Sequence, residues 1–126
     1  ARLVGSEMCI RDRYLTEPKP QFQIMPPVRQ WTNADLADWI SRGGDLGRHP
    51  FARLAWQRLS ESELVLFYQG EDLRLPGKLK DAVSLIAARR RIDNRAIATL
   101  LETTPEFCEL LLPLLNQGII EPAETA

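Results

Sequence analysis

The strongest constraint on the fold is a set of three helical stripes in the last third of the chain, following directly on residues patterned like strands. Across 78–90, Leu79, Ala82, Val83, Ile86 and Ala87 recur at the spacing of one helix face. Asp93 is placed to cap a second helix carrying Ile97, Leu100 and Leu101. Thr104 predicts the cap of a third, with Pro105 at the first helical position and a stripe of Phe107, Leu110, Leu111, Leu114 and Leu115. Pro113 falls inside that stripe and lacks the N–H that would bond the carbonyl of Glu109, so a kink is expected there. Gly118 ends the helix, and Ile119-Ile120 suit a short closing strand before a frayed tail at 122–126.

Upstream the pattern changes twice. Thr32 and Asp35 have capping-box spacing, Leu36, Trp39 and Ile40 share a face, and Gly43-Gly44 end that helix. Trp31, just before the cap, is suited to staple against Leu36. Residues 51–58 then alternate loosely, with Leu54 and Trp56 on one side, and 64–68 form an apolar run of strand length. Gln69-Gly70-Glu71-Asp72 predicts a four-residue turn into a return strand at Leu73-Arg74-Leu75, closed by Pro76-Gly77. Strands beside short helices, without βαβ alternation, argue an α+β domain of helices packed on a small antiparallel sheet. Its expected bounds are 32–121. The prolines Pro18, Pro20, Pro26 and Pro27 make 14–31 an extended arm leading into it.

The chain is one domain long at 126 residues, with a net charge of −1 that gives it no bulk attraction to nucleic acid or anionic lipid. It has no apolar run approaching the roughly 20 residues of a membrane span and no secretory h-region. The cysteines are Cys9 and Cys108. Nothing in their placement favours a disulfide, and Cys108, on a helical pattern, reads as a small packing residue in a reducing, cytoplasmic setting.

Catalytic chemistry finds few residues to use. A metal site needs two to four clustered His, Cys or carboxylate ligands. The sole histidine, His49, is followed by Pro50 and Phe51 and belongs to no H-x-D or H-x-E pair. A triad would need the same histidine, Cys108 shows no activating neighbour, and Gly43-Gly44 lacks a P-loop lysine. No catalytic, cofactor-binding or metal-binding residue is therefore assigned. Trp39 and Trp56 read as core, each worth roughly 1.5–3 kcal/mol by burial.

The run Arg89-Arg90-Arg91 is the one feature that suggests nucleic acid. Its simpler reading is a helix C-terminus, where cations complement the dipole. The recognition helix expected by chain order, 105–117, contains Glu106 and Glu109 but no Lys or Arg, so direct DNA binding is not expected.

Residues 1–13, ARLVGSEMCIRDR, have no sustained period and resemble a translated sequencing adapter. They are expected to be non-native and are set aside from fold reasoning. Without their three arginines and two carboxylates the balance is 13 positive to 15 negative charges. On this reading the gene continues upstream and the chain is a fragment.

The segment Tyr14-Leu15-Thr16-Glu17-Pro18-Lys19-Pro20, followed by Pro26-Pro27, carries a family resemblance. A short helix, Arg53-Leu54-Ala55, the Leu66-Phe67-Tyr68-Gln69-Gly70-Glu71 hairpin and Leu115-Asn116-Gln117-Gly118 follow in order. Together, over about 14–121, they resemble the C-terminal winged-helix domain of bacterial JmjC-type ribosomal oxygenases. The resemblance implies a parent with a cupin-fold catalytic domain that uses Fe(II) and 2-oxoglutarate. That parent would hydroxylate a large-subunit ribosomal protein, on arginine in the best-matching group, and would form a homodimer through a helical region. Both upstream parts are missing from this sequence, so no iron or 2-oxoglutarate contact carries over to any residue here. The domain itself is expected to be a non-catalytic protein-interaction or scaffolding module, with Glu61, Glu63, Glu71 and Asp72 a candidate surface for a basic partner. A free-standing winged-helix transcription regulator and a stand-alone adaptor are the competing readings.

Overall fold

Helix α1, Asn33–Ser41, starts where the sequence places it, because Thr32 and Asp35 close a reciprocal capping box. The Thr32 hydroxyl accepts from Asp35 N, and the Asp35 carboxylate accepts from Thr32 N. The Thr32 N–H first, and then the Thr32 hydroxyl, which also donates to Asp35 Oδ2 at 3.1 Å, hold the Asp35 carboxyl below its ordinary range, with Arg29 adding a weaker attraction. The computed structural model describes Thr16 and residues 24–123. The readings placed on 1–13, including Cys9, on the arm other than Thr16 and 24–31, and on 124–126 lie outside those residues.

Strand β1, Asp45–Arg48, follows α1 after the Gly43-Gly44 turn, and was not expected. β2 (Leu54–Arg58), β3 (Glu63–Tyr68) and β4 (Glu71–Pro76) form an antiparallel meander. A single 3-10 turn at Gly77–Leu79 leads into α2, Lys80–Ala88. The two-residue strand β5, Arg91–Ile92, precedes α3 (Asn94–Thr103), and α4 (Phe107–Asn116) and β6 (Ile120–Ala123) close the chain. The second sheet has the order β5-β1-β6, antiparallel throughout, with the unexpected strand at its centre.

One apolar core joins these parts. Leu64, Leu66 and Tyr68 enter it from one sheet and Leu46, Ile92 and Ile120 from the other. Leu36 of α1, Val83 and Ile86 of α2, Ile97 of α3 and all five expected residues of α4 complete it. Val65 and Phe67 point to the other face of β3, where Ala55 and Leu59 pack on them. The unbroken apolar run of β3 thus reflects burial on both faces. Trp39 and Trp56 are half-buried against the core.

Several expected boundaries move. Tyr68 pairs with Glu71, so the hairpin turn is the two residues Gln69 and Gly70, both at positive φ (52° and 76°), and not four. That geometry is the primed turn that matches the twist of paired strands. The helix expected over 78–90 ends at Ala88. Helix α4 begins at Phe107 and not beside Thr104, whose carbonyl accepts from Phe107 N at 2.9 Å while its hydroxyl caps nothing. The helix runs through Pro113 to Asn116. Pro122 and Ala123, placed in a frayed tail by sequence, pair with Leu46 and Asp45.

The Leu115-Asn116-Gln117-Gly118 segment ties the arm to the fold. Leu115 is core, and Asn116 accepts from Trp31 N at 2.6 Å while donating to Trp31 O at 3.2 Å. Gln117 donates to the Tyr68 hydroxyl at 3.3 Å. Gly118 takes φ +80° with Met25 O against its α-carbon.

Candidate interaction surfaces

The most connected polar group is Asp45, 8% exposed on the central strand. One carboxylate oxygen accepts from Arg91 Nε and Nη2 at 3.1 and 2.8 Å, and the other from Asn94 N at 2.7 Å. Asn94 Nδ2 in turn donates to Ile40 O and Gly44 O, and Trp39 Nε1 donates to Asp45 O at 2.8 Å. Asp45 thus satisfies a first-turn N–H of α3, while its neighbours hold the end of α1. Arg91 chiefly, then Asn94 N–H, keep the carboxyl below the usual carboxylate range. This node is structural, since both Asp45 carboxylate oxygens and the Asn94 Nδ2 are bound within the domain.

Asp45→Asn is expected to lose about 2 kcal/mol of stability at pH 7, as charge-assisted hydrogen bonds are replaced by a neutral amide whose single oxygen can accept from Arg91 or from Asn94 N but not from both. A carboxyl whose folded value is depressed contributes above its unfolded value, near 4, and loses that contribution as pH falls through the folded value. Urea midpoints of the two proteins should therefore converge on going from pH 7 to pH 3. A gap unchanged by pH would contradict the assignment.

The sequence-singled residues are dispersed. His49 follows β1; its Nδ1 accepts from Phe51 N at 3.0 Å, and its ring lies 5.2 Å from that of Phe51. Cys108 is half-buried on α4 and packs against the core. No group of three His, Cys, Asp or Glu among the described residues could hold a metal, so these residues do not fit an iron site. The four carboxylates proposed as one acidic surface are split between opposite ends of the β3–β4 hairpin. Glu63 sits against Pro76 and Glu71 against Tyr68, because antiparallel pairing sends the two strand starts to opposite ends. Glu63 is also paired with Arg74 at 3.5 Å.

The arginine run does not sit in the last helical turn. Arg89 is already extended, and the cation serving the α2 carboxyl end is Arg48, whose Nη1 donates to Ala87 O at 2.8 Å. Sequence reasoning missed that capping role because Arg48 lies 39 positions away and reaches the helix only through sheet pairing.

Among the described residues, two surface concavities stand out. A cleft of about 260 Å³ is lined by Trp31, Trp39, Arg29, Arg42, Asp35 and Asp38, its charges already matched in Arg42–Asp38 and Arg29–Asp35 pairs. A shallow groove of about 460 Å³ runs between α2 and α3, floored by Leu85, Ala96 and Leu100 and edged by Asp81, Asp93 and Arg95. No sequence pattern marked this groove, since its two walls come from different helices whose relative placement is a tertiary matter.

Helix α3, a three-residue turn and α4, backed by the β5-β1-β6 sheet, make up the helix-turn-helix and small sheet of a winged-helix domain. The chain belongs to the ROXA-like winged helix family, whose sequence model matches residues 9–121. No curated protein matches the sequence. Among solved structures it is similar to YcfD, a ribosomal oxygenase from Escherichia coli, at 18% identity and a TM-score of 0.71 over 96% of this chain. YcfD in complex with cobalt and 2-oxoglutarate is similar at 18% identity and a TM-score of 0.70. The chain spans about a third of those proteins, 32% of each. Among the described residues, no helix is long and apolar enough to cross a membrane.

Proposed function

We propose that this chain is a non-catalytic accessory domain, a protein-interaction or scaffolding module, of a cytoplasmic ribosomal-protein hydroxylase dependent on Fe(II) and 2-oxoglutarate. The observation that carries the reading is the helix-turn-helix pair within a family fold shared with ribosomal oxygenases. Its second helix, α4, is turned inward by Phe107, Leu110, Leu111, Leu114 and Leu115, and its exposed residue Glu109 is acidic. A winged helix that reads DNA needs basic or amide side chains on that helix, so the transcription-regulator reading is disfavoured. Chemistry would reside in a JmjC domain of the parent, which would act as a homodimer on a large-subunit ribosomal protein. That the parent handles a metal and 2-oxoglutarate is supported by the cobalt and 2-oxoglutarate complex of the similar YcfD structure.

The α2–α3 groove is the surface that suits a protein partner: apolar on its floor, with two carboxylates against one arginine at its edge. A basic ribosomal protein matches that edge. Capture of purified large-subunit ribosomal proteins by the chain is expected, with at least a tenfold loss in Leu100→Lys, which places a cation on the floor. Equal capture by both proteins would remove the groove from the interface, and no capture by either would sink the scaffolding role.

A further inference from the structure

The rims of the two surface concavities differ in how their charges are used. In the Trp31–Trp39 cleft the charges are matched internally, in the Arg42–Asp38 and Arg29–Asp35 pairs. In the α2–α3 groove they are not. Asp81, in the first turn of α2, and Arg95 of α3 are exposed and, among the described residues, have no ion-pair or side-chain hydrogen-bond partner. Asp93, the N-cap of α3, is exposed too and uses one carboxylate oxygen on Ala96 N, at 2.7 Å. The floor beside these charges is apolar. Leu85 stands one turn beyond Asp81 on α2, while Ala96 and Leu100 follow Asp93 at helical spacing on one face of α3. Both leucines are only half-buried, so part of each side chain is left to solvent.

We infer that the groove docks an amphipathic α-helix of a basic partner, its apolar stripe on Leu85, Ala96 and Leu100 and its cations over Asp81 and Asp93. The inference rests on the protein-interaction reading and names the form of the partner's docking segment. Helix surfaces set side by side present a groove that takes the side-chain rows of another helix. Apolar residues at i, i+3, i+4 and i+7 of that helix supply the anchors. Ala96, the smallest side chain of the floor, lets one anchor sit deep, as a knob enters a hole. An extended segment fits less well. Its alternate side chains point away from the surface, and walls made of helices offer it no sheet edge to pair with. The rim, two carboxylates against one arginine, selects a cationic flank, because an acidic one would meet only Arg95.

The test is fluorescence anisotropy of a labelled Leu-Lys peptide of roughly 14 residues, about four helical turns, titrated with the full chain. Its leucines stand at i, i+3, i+4 and i+7, and a control of the same composition alternates Leu and Lys with the period of a strand. The helical-period peptide is expected to bind at least about tenfold more tightly than the control and to gain helicity by circular dichroism. Binding should weaken about fivefold in Asp81→Lys and strengthen in Arg95→Glu, since each alters the rim and spares the floor. Ala96→Leu fills the groove with another good helix former, so binding should fall about tenfold while the chain keeps its far-UV spectrum. The inference is overturned by equal affinity for the two peptides, by no binding of either, or by full affinity in Ala96→Leu. Capture of ribosomal proteins that persists beside any of those results leaves the scaffolding role standing. Peptide binding without such capture sinks that role and supports the groove assignment.

Discussion

Leu46→Ala is expected to lower the unfolding free energy by about 4 kcal/mol, toward the upper part of the range for large-to-small changes in a core. Leu46 is fully buried in the middle of a four-residue strand and pairs with Ile92 on one side and Pro122 on the other. It is the side chain by which the centre of the β5-β1-β6 sheet reaches the shared core, and its neighbours are held by two further strands and cannot collapse onto the void. Urea denaturation gives the number directly. Leu46→Met should cost under about 1.5 kcal/mol, because volume is nearly conserved. A loss below about 1 kcal/mol for alanine would show that β1 does not organise the core.

Gly118→Ala should cost about 3 kcal/mol, from two separable sources. At φ +80° an L side chain costs roughly 1–2 kcal/mol. A Cβ there would also stand 2.4 Å from Met25 O and 3.0 Å from Ile24 Cγ2, and the first is backbone that cannot rotate away. Gly43 is the built-in control: its φ is +83°, but its Cβ would meet nothing within 4 Å. Gly43→Ala should therefore show the conformational part alone, about 1 kcal/mol. The excess at Gly118 measures how tightly the segment at 24–31 is held, and limited proteolysis there should accelerate in Gly118→Ala and not in Gly43→Ala. Equal losses at the two glycines would mean that the Met25 contact carries no energy.

What could be read in advance depended on how local its cause was. The capping box at Thr32 and the Asp93 cap, whose carboxylate accepts from Ala96 N at 2.7 Å, depend on groups three residues apart. The five-residue stripe of α4 has enough turns for its period to stand out. β1 was missed because Asp-Leu-Gly-Arg contains one apolar residue and no alternation, and β5 because two residues have no period at all. The four-residue turn was misread because Gln69 gives no hint that it will accept φ 52°, a conformation the closing strands impose. The acidic patch could not be judged, since grouping Glu61, Glu63, Glu71 and Asp72 required knowing which hairpin ends they occupy.

The three stripes with which the sequence was first read determined, by themselves, that α2, α3 and α4 exist and which faces they bury. Periodicity and capping operate within one or two turns, so neighbouring residues suffice to specify them. Only the tertiary structure decided that β1 is inserted between β5 and β6, because strand pairing is a contract between backbones that carry no side-chain code at such short lengths. The same insertion brought Arg48 to the end of α2 and Asp45 to Arg91, leaving Arg89 and Arg90 facing solvent. The charges were legible from the start; which of them would be neutralised was set by long-range pairing.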